Sequence, residues 1–251
     1  MRILLVNVNT TESMTRAMGD QAQAVAADGT EIVALTPFFG AESVEGNYES
    51  YLAAVAVMDR VLAVEEDFDA VIQAGFGEHG REGLQELLDV PVVDITEAAA
   101  HFAYLLGYRY SVVTTLDRAI PLIEQRLLLA GLHTRCASVR ASGLSVLELD
   151  ESAERTTTAI AAQAKLAIEE DGAEVIVLGC GGMAELEAAV RKNTAAPVVD
   201  GVSAAVKIVE SLVSLGLSTS KVRTYAPPRP KKVRSWPLHR HLPGTSGPSA
   251  K

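Results

Sequence analysis

The sequence predicts an α/β protein made of two similar doubly wound parallel-sheet halves, related by a pseudo-twofold axis, with the active site in the cleft between them. Three observations predict it. Apolar runs of about five residues alternate with longer stretches of helical periodicity along the whole chain. Those runs are apolar at successive positions, as strands are when right-handed crossovers cover both sheet faces with helices. Residues 67–103 and 171–209 also share one plan: acidic start, strand, glycine-rich turn, helix, Pro-Val-Val-Asp, helix.

The first strand is RILLVNV at 2–8, followed by a helix over 11–25 that Asn9 or Thr10 is placed to cap. EIVALTP at 31–37 is the second strand, and SVEGNYES at 43–50 reads as a loop. AVIQAG at 70–75 runs into a turn carrying Gly75, Gly77 and Gly80, then a short helix that must end before Pro91. PVVDI at 91–95 is a strand passing straight into the TEAAAHFA helix at 96–103. The second half repeats the scheme with YSVVTT at 110–115, ASVRAS at 137–142, EVIVLGC at 174–180 and PVVDG at 197–201. Superposing the two repeats by their turns pairs Gly75 with Cys180 and Gly77 with Gly182, and the Pro-Val-Val-Asp strands pair Asp94 with Asp200.

Residues 1–225 form the predicted α/β body, and 226–251 a basic, proline-rich tail expected to be disordered. His239 and His241 in that tail carry no metal expectation, and no metal site is predicted anywhere. The formal net charge is −10, yet 8 of the 22 Lys and Arg lie in residues 221–251, where no acid occurs, so residues 1–220 carry −18. Such a body repels nucleic acid and anionic membrane and favours a small-molecule substrate. An aromatic content of 5% leaves little for stacking on bases or sugars. Two isolated cysteines, and a start that lacks a signal peptide's regions, point to a reducing cytoplasm.

Cys180 lies in VLGCGGMAEL, at the step from strand to helix, where free amides and the helix dipole are expected to favour a thiolate. Gly181 and Gly182 let an enolate or carboxylate oxygen reach backbone amides. A buried structural cysteine is the plainer alternative, and Cys136, with no glycine turn, is read that way. Gly75, Gly77 and Gly80 spell G-x-G-x-x-G with Asp94 nineteen residues after Gly75, a dinucleotide-like fingerprint. The helix that follows is too short for that unit, and the partner repeat lacks the pattern, so no nucleotide cofactor is predicted.

Taken together and in order, NVNTTESMT, EGNYES, AGFGEHG, TEAAAHFA and VLGCGGM resemble the Asp/Glu/hydantoin racemase superfamily, hydantoin and allantoin racemases especially. The resemblance implies cofactor-independent proton transfer at an acidic carbon of a hydantoin-like or amino-acid-derived molecule, by one cysteine from each half, commonly in a homo-oligomer. Cys180 matches the second-half cysteine. The first-half position, cysteine in the family's C-F-G-D-P-G, is Gly75, followed by Phe76, Gly77, Glu78, His79 and Gly80. Three accounts of the gap stay open. His79 or Glu78 supplies the second acid/base; Cys180 alone protonates one face, as in arylmalonate decarboxylase, which resembles this superfamily and has glycine there; or the chain binds without catalysis. The plainer alternative has Glu78 capping the next helix and His79 exposed. Asn9, Thr10, Thr114 and Thr115 match candidate substrate-binding positions, whereas Glu45, Tyr48, Glu97 and His101 carry no catalytic expectation, the last two making an i,i+4 contact.

Overall fold

The computed structural model describes residues 1–231, so most of the tail lies outside the described residues. Eight parallel strands form two four-stranded sheets. In the first half, β1 (Arg2–Val6), α1 (Glu12–Val25), β2 (Glu31–Leu35), α2 (Asn47–Leu62), β3 (Ala70–Gln73), α3 (Arg81–Leu87) and β4 (Val92–Asp94) follow one another. The helix α4 (Ile95–Leu106) leads into β5 (Tyr110–Thr114), α5 (Ile120–Leu129), β6 (Cys136–Ala141), α6 (Ala153–Glu169), β7 (Val175–Leu178), α7 (Glu187–Lys192), β8 (Val198–Asp200) and α8 (Gly201–Ser214). Strand order is β2-β1-β3-β4 in one sheet and β6-β5-β7-β8 in the other, the same order twice. All eight apolar runs of the sequence are strands, seven of them shortened and the 137–142 run shifted one residue toward the N-terminus.

The registers show why the repeat was visible. Gln73 pairs with Asp94 at the end of the first sheet, and Leu178 pairs with Asp200 at the end of the second. Gly75 and Cys180 therefore each stand two residues beyond equivalent strand ends. Both aspartates cap the helix that follows: Asp94 accepts the Glu97 N–H, and Asp200 accepts those of Val202 and Ser203.

Each capped helix leaves its own half. Helix α4 packs against β7 and β8 as well as β4, while α8 packs back against β3 and β4, and the two helices lie against each other. Their inward faces are small, with Ala98, Ala99, Ala100 and Ala103 meeting Ala204, Ala205, Val206 and Val209, so both sheets approach one shared helical layer. The resulting core is continuous from Ile3, Leu5 and Ile72 of one sheet to Val112, Val175 and Val177 of the other. Each such fully buried side chain contributes about 1.5–3 kcal/mol. Separate clusters fill the outer faces, one around Leu4, Val57 and Leu84 and one around Ile160, Ile176 and Val190. No helix among the described residues is long and apolar enough to cross a membrane.

Candidate functional site

The carboxyl ends of β3 and β7 converge on one cavity of about 320 Å³. Its wall takes Asn7, Val8 and Asn9 from the end of β1, the turn Gly75–His79 after β3, Thr114 and Thr115 after β5, and Gly179–Gly182 after β7. The two turns touch. A Cβ on Gly181 would stand 2.8 Å from the carbonyl of Ala74 and 2.6 Å from Met18 Sδ, so only glycine lets the second-half turn come this close to the first.

Cys180 is half-buried and opens a 3-10 turn rather than an α-helix. Burial pushes its thiol up to about 11, the carboxylates of Asp150 and Glu45 add to that rise, and the Gly182 amide opposes it. The expected bias toward thiolate is thus overturned: desolvation outweighs the turn's amides, and the resting group is a thiol. Cys136 is in strand β6 with its Sγ on the Ser138 carbonyl, outside the cavity wall, and burial pushes it up to about 12.

Gly75 carries no side chain, and the space in front of it is filled. A Cβ there would lie 2.4 Å from Val8 Cγ1 and 2.6 Å from His79 Cδ2. Gly75→Ala is therefore expected to destabilise the protein by about 1–3 kcal/mol through overpacking, because Val8 has no flexible end to move aside. A urea midpoint unchanged by Gly75→Ala contradicts this packing.

His79 is 5% exposed, which excludes the solvated alternative. Its Nδ1 lies 3.0 Å from Ser50 Oγ, and Ser50 donates to the Glu78 carbonyl at 3.0 Å. Burial depresses His79 to about 4; the Phe76 carbonyl and Asp94 resist the fall, and Arg126 assists it. Glu78 accepts the Gly80 N–H on Oε1 at 2.9 Å and turns Oε2 to within 3.4 Å of Arg126 Nη1. Burial raises its carboxyl despite both arginines. The Gly77 N–H donates to Thr96 Oγ1, and Thr114 Oγ1 to the Gly179 carbonyl, so each turn is tied to its framework.

Asn9 accepts from Asn7 Nδ2 at 2.8 Å and from the Thr11 N–H at 3.0 Å, at the start of α1. Thr10 is the one expected binder outside the cavity wall, since its hydroxyl and N–H both turn to the Ala41 carbonyl. The 43–50 loop ends early, because α2 starts at Asn47 and leaves Tyr48 73% exposed; Glu45 bridges the halves by accepting the Val146 N–H. His101 meets the backbone carbonyl of Glu97, while the Glu97 carboxylate has other partners.

Those partners form a cluster the sequence did not reveal. Arg126 bonds Asp94 at 3.0 Å, Glu97 at 2.5 Å and Glu82 at 3.0 Å; Arg81 bonds Asp94 and Glu97 at 3.1 Å. Two buried guanidiniums thus serve four carboxylates, Glu78 included. Asp94, the acid of the dinucleotide-like fingerprint, is fully buried and doubly engaged, and His79 lies over that glycine turn. Among the described residues, Arg126 is the one Lys or Arg in the cavity wall, beside Glu45, Glu78 and Glu82.

The sequence model described as Asp/Glu/Hydantoin racemase matches residues 3–209. The crystal structure of allantoin racemase from Pseudomonas fluorescens is 72% identical, with 93% of this chain and 99% of that one covered and a TM-score of 0.92. Allantoin racemase from Klebsiella pneumoniae is 41% identical, with 97% and 99% covered and a TM-score of 0.93. A hydantoin racemase from Pseudomonas sp. (strain NS671) is 37% identical over 92% of this chain and 94% of the relative.

Proposed function

The chain belongs to the Asp/Glu/hydantoin racemase family, and from that premise we propose that it inverts the acidic ring carbon of a neutral hydantoin, allantoin first, without a cofactor and with Cys180 as thiol acid/base. The observation that carries the reading is Cys180 at the strand end of one half, in one cavity with the glycine turn of the other. A hydantoin ring carbon beside a carbonyl loses its proton to give an enolate, and the amides around Gly181 and Gly182 suit the oxygen that gains the charge. The ring's own N–H and C=O groups match the amides and hydroxyls of Asn9, Thr114 and Thr115.

Charge selects the substrate class. Both Nη atoms of Arg126 are paired with carboxylates and only its buried Nε–H is left without a partner, so among the described residues the wall holds one already paired cation against several acids. A substrate carboxylate at about 6 Å from one uncompensated acid loses roughly 3 kcal/mol at an effective dielectric of about 20, some hundredfold in affinity. Allantoin and 5-substituted hydantoins are therefore expected to racemise, read as decay of circular dichroism from single enantiomers. Aspartate and glutamate are expected to turn over at least about a hundredfold more slowly in kcat/KM. Comparable rates on the amino acids contradict the neutral-ring assignment.

The lack of a side chain at Gly75 favours a second reading, one-sided protonation after loss of CO2. An arylmalonate brings two carboxylates to the same acidic wall, so CO2 release from it is the outcome that establishes that reading over racemisation.

A further inference from the structure

Racemisation needs a proton-transfer group on each face of the carbon, and Cys180 serves only one. Gly75 offers none, but the volume its side chain would enter is not empty: His79 Cδ2 lies 2.6 Å from the Cβ position. The imidazole is in the cavity wall, and its Nε2 is beside Gly77, 3.0 Å from where a Cβ on that residue would stand. In the tautomer with Nδ1–H, Ser50 accepts from the ring and gives its own proton to the Glu78 carbonyl, and the lone pair stands on Nε2. Glu78, the competing candidate, has one oxygen on the Gly80 N–H and the other facing Arg126.

We propose, building on the racemase reading with Cys180 as one acid/base, that His79 is the second catalytic residue, taking the place of a first-half thiol, and that Ser50 is the residue that positions it. In one direction Nε2 accepts the carbon-bound proton, the C–H electron pair passes into the ring enolate, and the Cys180 S–H proton goes to the opposite face. Imidazole becomes imidazolium and thiol becomes thiolate. A proton returned from imidazolium to thiolate through solvent resets the pair, and the other enantiomer reacts in reverse from the imidazolium–thiolate form, with thiolate as base and imidazolium as acid.

The pairing leaves a signature in the pH dependence. His79 faces Asp94 of the α4 cap and Arg126 of α5, with Glu78 on its own turn and uncharged Ser50 on α2; Cys180 faces Glu45 and Asp150. In this setting His79 titrates at about 4 and Cys180 at about 11. The reactive form, one proton shared between the two, is the resting form from mildly acidic to mildly alkaline pH. A site in which the Cys180 thiolate must form first gains about tenfold in rate per pH unit over that range.

The test is kcat/KM for racemisation of each allantoin enantiomer from about pH 5 to about pH 9, with ring C–H exchange in D2O for the unsubstituted protein, His79→Gln, His79→Ala and Ser50→Ala. The expected result is a flat profile for the unsubstituted protein and a loss of racemisation of ~100-fold or more in His79→Gln, within the range of a missing acid/base. His79→Gln is expected to keep Cys180-dependent exchange of one enantiomer without inversion. Ser50→Ala is expected to lower kcat more than it raises KM. Racemisation by His79→Gln within about fivefold of the unsubstituted protein, or a profile rising tenfold per unit, overturns the assignment to His79 while leaving Cys180 in place. An unsubstituted protein that racemises no hydantoin fails the underlying reading instead. Should both His79 variants misfold, the pH profile still decides.

Discussion

Cys180→Ala is expected to lower kcat/KM for hydantoin or allantoin racemisation by ~10²–10⁴-fold, the range a positioned acid/base supplies. The loss is expected with little change in thermal stability, because the residue is half-buried and packs at the margin of two core clusters rather than inside one. The same substitution at Cys136 is expected to leave kcat/KM unchanged, since that thiol sits in β6 on the Ser138 carbonyl and lies outside the cavity wall. The pair of variants separates chemistry from packing: both remove one sulfur, and only one removes it from the cavity. The measurement is loss of circular dichroism from a single enantiomer, with ring C–H exchange in D2O followed by NMR in parallel. Cys180→Ala turning over within tenfold of the unsubstituted protein removes the thiol from the mechanism.

Elements whose cause is local were readable from the chain. Runs such as Val175–Leu178 are apolar at every position because helices cover both faces of each sheet, and that signal does not depend on distant residues. Internal repetition was equally direct, since the register that aligns Gln73 with Asp94 recurs as Leu178 with Asp200. It put Gly75 opposite Cys180 before any geometry was available. Local motifs misled where burial decides. Cys180 stands at a glycine turn that ought to favour thiolate, yet its titration is governed by how much protein surrounds it. Thr10 adjoins Asn9 in sequence and turns the other way, toward Ala41, because the chain leaving β1 bends there. Long-range ion pairing was invisible altogether: Arg126 lies 32 residues from Asp94, in α5, where no sequence motif marks it.

Replacement of Arg126 by methionine is expected to cost about 3–5 kcal/mol, the usual penalty for stripping one partner from buried opposite charges. Asp94 is fully buried and Arg126 nearly so, and their attraction raises the guanidinium further above its ordinary range against the pull of desolvation. Without Arg126, Asp94 and Glu97 are left to share Arg81 alone, at 3.1 Å from each. For a chain of this size the loss corresponds to a fall of roughly 10 °C in Tm. The deficit is expected to be larger at neutral pH than at about pH 4, because burial already raises the Glu78 carboxyl, and once protonated it needs no cation. Arg126→Lys is expected to fall between, because an ammonium keeps the charge but cannot fork across Asp94, Glu97 and Glu82. Urea unfolding at both pH values measures all three proteins. An Arg126→Met variant within about 1 kcal/mol of the unsubstituted protein has a second consequence. It means the carboxylates do not consume that guanidinium, which is then available to hold an anion in the cavity, and the electrostatic argument for a neutral ring over an amino acid or a malonate fails with it.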